Sequence, residues 1–177
     1  MSRYSGLFRR LRLVGGFAMV GMAGTSAQAD DRLMFQVRGA VTPSCGLATD
    51  RIRIELGTVA ASELGAIGGA SRWRRASFIG TGCIGATRAT VTMRAKPHPL
   101  DPRYIATDGD RAAGVRGVGI EVRAAEGQSL PPDGSSSVGF TWAEGAPELA
   151  FEARYVRLGA LNPGNAQATA LVQIQWE

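Results

Sequence analysis

The chain has 177 residues, 45% of them hydrophobic and 7% aromatic, with 24 glycines, 20 basic and 15 acidic side chains, two cysteines and one histidine. That is enough apolar material for one domain, and a glycine share about twice the usual one favours turns and strands over long helices. A single histidine and two cysteines without a C-x-x-C pair count against most metal and triad chemistry.

Taken from the start, residues 1–29 hold Arg3, Arg9, Arg10 and Arg12 and no acid, so most of the net charge of +5 sits there and the remainder carries 16 basic against 15 acidic side chains. A near-neutral remainder gives little support for a nucleic-acid partner. The same leader has the parts of an export signal: a cationic start, the apolar stretch Leu13 to Gly24, and small residues ending in Ala27-Gln28-Ala29. Its apolar stretch spans roughly 18 Å as a helix, short of the roughly 30 Å of a bilayer core. The expectation is a signal peptide cleaved after Ala29, with an uncleaved N-terminal anchor as the alternative.

Leu33, Phe35 and Val37 then alternate with Met34, Gln36 and Arg38, and the phase runs through Gly39 to Val41. This period of two is that of a half-buried strand. Cys45 and Cys83, with 37 residues between them, are most simply one disulfide in an oxidising compartment, worth roughly 3–4 kcal/mol by loop entropy. Two free buried thiols are the alternative. Ile52, Ile54 and Leu56 alternate with Arg53 and Glu55, and residues 60–70 have room for a helical turn but too many glycines for a long helix.

Arg72, Arg74 and Arg75 surround Trp73, a cluster able to bind phosphate or an acidic glycan, although 19 arginines against the single Lys96 point to coding bias. Gly80-Thr81-Gly82-Cys83-Ile84-Gly85 matches G-x-G-x-x-G by letters. A dinucleotide site needs a helix opening there, whereas the following residues alternate as a strand. Further strands are expected over Ala89–Ala95, Val118–Val122, Phe151–Tyr155 and Val172–Trp176, with breaks at Pro97-His98-Pro99, Asp108-Gly109-Asp110, Pro131-Pro132-Asp133-Gly134 and Asn162-Pro163-Gly164. His98 is expected to be a solvated loop residue, and no serine lies in a G-x-S-x-G elbow. Short strands without helices between them argue for an all-β sandwich in one domain.

The stretches Phe35–Cys45 (FQVRGAVTPSC), Ile54–Val59 (IELGTV), Phe78-Ile79 before Cys83, Val118–Val122 (VGIEV), Phe151–Tyr155 (FEARY) and Ala166–Glu177 (AQATALVQIQWE) stand in an order and spacing that resembles the pilin subunits of chaperone-usher, type 1-like fimbriae. The resemblance covers essentially the whole length after the leader. It implies an incomplete immunoglobulin-like β-sandwich completed by a donor strand from a neighbouring subunit, with residues 30–42 as the donor extension and 43–177 as the pilin domain.

In that frame Leu33, Phe35, Val37 and Val41 would point into the neighbour's groove, with Gly39 where the acceptor has least room. Each apolar anchor contributes roughly 1.5–3 kcal/mol. Val172, Ile174 and Trp176 would border the groove and contact the periplasmic chaperone, whose basic cleft holds the terminal carboxylate. Trp176 stands where the family usually carries Tyr. The implied partners are neighbouring pilin subunits, the chaperone and an outer-membrane usher, with no cofactor and no catalytic activity. The implied location is a cell-surface fimbrium that supports adhesion. A self-complete secreted β-sandwich that binds carbohydrate or another ligand is the competing expectation.

Overall fold

The computed structural model describes residues 34–108, 115–143 and 145–177. The expected signal peptide, Leu33 of the expected donor strand, and Gly109-Asp110 of one expected turn lie outside them. The chain divides into two units, residues 1–39 and 40–177. In the first, residues 34–39 belong to no strand, and Phe35 and Val37 are 89% and 82% exposed. Periodicity foretells a strand only where a partner ladder exists, and among the described residues these have none.

Among its described residues the second unit has eight strands: β1 (Ser44–Leu47), β2 (Arg74–Ile84), β3 (Arg88–Ala95), β4 (Ile105–Ala106), β5 (Arg116–Ala124), β6 (Asp133–Thr141), β7 (Glu148–Asn162) and β8 (Ala170–Trp176). One short 3-10 turn, Ala61–Leu64, falls within the glycine-rich stretch. The Glu63 carboxylate caps it by accepting the Ala60 N–H at 3.0 Å. All pairings are antiparallel and form two sheets, one ordered β1-β2-β7-β5-β4 and the other β6-β3-β8.

Alternation decides which side chains meet between the sheets, because successive residues of a strand point to opposite faces. Ala89, Val91 and Met93 of β3 face Phe78 of β2, Ile120 of β5, and Leu149, Phe151 and Ala153 of β7 in one buried cluster with Leu130, Val138 and Phe140. The strands expected around residues 89–95, 118–122, 151–155 and 172–176 are present, and β7 is much longer than its apolar alternation.

Three expectations need correction. The turn at 131–134 is shorter than expected, because Asp133-Gly134 already begins β6, with Gly134 at φ 73°. β6 itself, with the polar run Ser135-Ser136-Ser137, and β2, with Gly80 and Gly82 after Phe78 only partly spaced by apolar residues, carry too little apolar alternation to be legible. Residues 52–56 alternate in burial as a strand would, yet no ladder among the described residues includes them.

Candidate functional site

The absence of a ladder at residues 52–56 opens the site. β1 ends against β2, with the Ala48 N–H donating to the Ile79 carbonyl at 2.9 Å. The chain then runs on through residues 50–57, from a bend at Asp50 to Gly57 at φ 73°, and between them Ile52 and Ile54 pack on the core and Leu56 is only 9% exposed. On the opposite sheet β8 pairs, among the described residues, with β3 alone and is the terminal strand of its sheet. Between these two walls lies a groove of about 1070 Å³.

Its floor is apolar: Phe78, Met93, Ile105, Ile120, Val122, Leu130, Phe151 and Ala153, with residues 166–172 along the β8 side. An apolar trough flanked by two strand-like walls, one of them an unpaired edge, offers main-chain donors and acceptors and side-chain pockets together. That is the geometry of strand addition. Tyr155 also lines the groove, beside the charged wall residues Arg53 and Glu55; burial first, and then the nearby Glu55 carboxylate, push its phenol above the usual tyrosine range. A filled groove would bury that ring further.

The residues expected to border the groove separate into two groups. Val172, opposite Met93, lines it. Ile174 and Trp176 lie further along β8 opposite Val91 and Ala89, packed on the core, and Trp176 meets Trp142 edge to face at 6.0 Å. Of the expected donor residues, Phe35, Val37, Gly39 and Val41 are exposed and outside every strand. Cys45 and Cys83 form a disulfide with Cα atoms 4.1 Å apart, tying β1 to β2 beside the start of the groove wall. Sequence reasoning missed the groove floor contributed by Ile105 and Leu130, since isolated apolar residues in loops and a two-residue strand leave no periodic signal.

The other residues singled out in the sequence have structural work. His98 is buried at 8% exposure rather than solvated, its Nδ1 accepting the Leu100 N–H at 3.1 Å. Its loop folds back on itself, the His98 N–H donating to the Tyr104 carbonyl at 2.8 Å. Trp73 takes the Arg123 and Arg154 guanidinium groups at 3.9 and 4.2 Å from its ring centre. These two arginines are held by Glu152 and Glu121 at 2.7 and 2.6 Å, so the stack is a cross-strand device on the outer face of the five-stranded sheet. Arg75 is paired with Glu148. Gly80–Ile84 lies within β2 instead of opening a helix, and no group of three His, Cys, Asp or Glu among the described residues is arranged to hold a metal.

The fold and groove together define a class, the incomplete immunoglobulin-like sandwich of chaperone-usher pilins. The family model for fimbrial proteins matches residues 34–177, and the chain belongs to that family. Among curated relatives it is similar to protein LpfE of Salmonella typhimurium, 25% identical over 169 residues and 93% of each chain. It is also similar to the type-1 fimbrial protein A chain of Salmonella typhi, 30% identical over 127 residues, 60% of this chain and 67% of the relative.

Solved structures show the same fold. A chaperone-usher pilus structure aligns with a TM-score of 0.64 at 21% identity, covering 88% of this chain and 100% of that one. The P pilus rod subunit PapA aligns at 0.62 and 20% identity, covering 75% and 99%. The CupB6 tip adhesin of Pseudomonas aeruginosa aligns at 0.62 and 22% identity, and the match covers 73% of this chain but 37% of the adhesin.

Proposed function

We propose that this chain is a non-enzymatic fimbrial subunit that polymerises by strand addition. Residues 33–41 of one subunit lie in the groove between residues 50–57 and β8 of its neighbour, with Leu33, Phe35, Val37 and Val41 pointing to the apolar floor. The observation that carries this reading is the open groove itself, a trough of about 1070 Å³ over Phe78, Met93, Ile120 and Phe151. Left unfilled, such a surface and an unpaired sheet edge would drive aggregation.

Before assembly a periplasmic chaperone covers the groove along β8, with Val172, Ile174 and Trp176 on the strand it meets. An outer-membrane usher then admits the neighbour's donor segment. The Cys45–Cys83 disulfide holds the groove wall in place during this handover, and residues 30–42 act as the extension while 43–177 form the domain that receives it. The product is a surface fibre that supports adhesion.

The test is to append residues 30–42 after Glu177 through a flexible linker. The fused chain should be a monomer that melts far above the parent and no longer incorporates a second donor segment. A fusion with the parent's melting temperature and assembly behaviour would refute the reading.

A further inference from the structure

The two walls of the groove run in opposite senses. Residues 48–55 pass from the Ile79 carbonyl, at the level where Ile79 pairs with Glu148, to the neighbourhood of Tyr155, and so follow the direction of β7. β8 starts on the Tyr155 side, where Val172 joins the groove lining. It ends with Trp176 opposite Ala89, which also pairs with Phe140, the ring that meets Phe151. A strand laid between the walls is therefore antiparallel to one and parallel to the other. Antiparallel pairing is the more stable per residue, and β8 is the wall with a complete ladder behind it. The occupant runs antiparallel to β8 and parallel to residues 50–57.

In that direction the apolar phase of the chain's own N-terminal segment can meet Ile52, Ile54 and Leu56 in three ways. With Phe35 beside Ile54, Arg32 falls beside Arg51. With Val37 beside Ile52, Arg38 falls beside Arg53. Only with Phe35 beside Ile52 and Val37 beside Ile54 is there no like-charge pair, and there Arg38 falls beside Glu55. The same register sets Gly39 beside Leu56, the most buried residue of the wall, where a residue without a side chain makes least demand on space. Glu55 is available for this role: its side chain is 77% exposed and its contact with Arg53 is a long 3.6 Å.

Resting on the strand-addition reading above, we propose that the groove's occupant is the N-terminal segment of a second copy of this chain, held in the register that sets Arg38 beside Glu55. The donor and the acceptor of the polymer bond are then the same protein, and the Arg38–Glu55 pair is a register and specificity device, not an anchor.

The experiment uses the full chain and synthetic peptides of residues 30–42, native or carrying Arg38→Glu, with affinity read by titration of a labelled peptide. The native peptide should bind about fivefold more tightly than the R38E peptide, the scale of a cross-strand charge pair. The chain carrying Glu55→Arg should reverse the preference, and Glu55→Gln should abolish it. Equal binding of the two peptides, or a preference that Glu55→Arg and Glu55→Gln leave unchanged, would overturn the register while leaving strand addition standing. Failure of both peptides to bind would overturn strand addition and this inference with it.

Discussion

The ring of Phe140 on β6 meets the ring of Phe151 on β7 edge to face, with centroids 5.5 Å apart, and so joins the three-stranded sheet to the five-stranded one. Phe151 also meets Phe78 at 6.2 Å and forms part of the groove floor. Replacing Phe151 by Ala removes contacts to both sheets at once. The expected cost is about 3–5 kcal/mol, read by urea denaturation of the donor-fused chain, and Val118→Ala outside the groove should cost clearly less.

The disulfide closes a loop over a sequence separation of 38 residues, between the edge strand β1 and the end of β2. A Cys45→Ser and Cys83→Ser double variant should lose about 3–4 kcal/mol, because the unfolded chain regains that loop's freedom. Denaturation midpoints with and without reductant provide the measurement: reductant should lower the native midpoint to that of the double variant and leave the variant unmoved.

Phe35→Glu and Val37→Glu should each block chain growth without unfolding the pilin domain. Both side chains are exposed in the subunit, so the charge costs nothing there. Burying it in the apolar groove of a neighbour without a partner would cost several kcal/mol. The expected result is a monomer with the native melting temperature and no fibre by electron microscopy. A lowered melting temperature would instead place these residues in their own domain's core.

Acid should weaken the fold through three carboxyls. Glu148 is held below its ordinary 4.5 first by the Ser77 hydroxyl and then by Arg75. Asp101 is lowered by the Arg103 guanidinium, and Asp133 by the Ser135 hydroxyl and backbone N–H. Depressed carboxyls contribute stability that is present above their unfolded values and lost as pH falls through the folded ones. The loss therefore falls below about pH 4.5, and these groups are solvent-exposed, so each contributes little. A melting-temperature series across that range should show a shallower acid slope for Glu148→Gln than for the native chain.

Tyr155 gives a direct report on occupancy. Its phenol is raised by burial and by Glu55, and covering the groove adds burial and pushes it further up. The neutral form is the favoured one in the fold, so this contribution is present below the unfolded phenol value and is lost as pH rises through the folded one. Titration of phenolate absorbance should show one tyrosine moving to higher pH in the donor-fused chain, and Tyr155→Phe should remove that component.

Much of this was written in residue order. The alternation of Ala89, Val91 and Met93 and of Val118, Ile120 and Val122 stated both the strands and their inward faces, because a period of two leaves each side chain only one choice of side. Two cysteines and an export-like leader were enough to suggest the pair Cys45 and Cys83. β2 and β6 were not legible, since glycine and serine runs become strands only when a neighbour supplies the ladder.

What tertiary structure alone decided is where pairing stops. Ile52, Ile54 and Leu56 carry the same alternation as any strand, yet among the described residues they end as an unpaired wall while β8, with an equal pattern, gains one partner and leaves its other edge open. A side-chain pattern specifies the face that a strand buries; its hydrogen-bonding edges point sideways, along directions that residue identity does not encode, and only the arrangement of the whole sheet determines whether they are met.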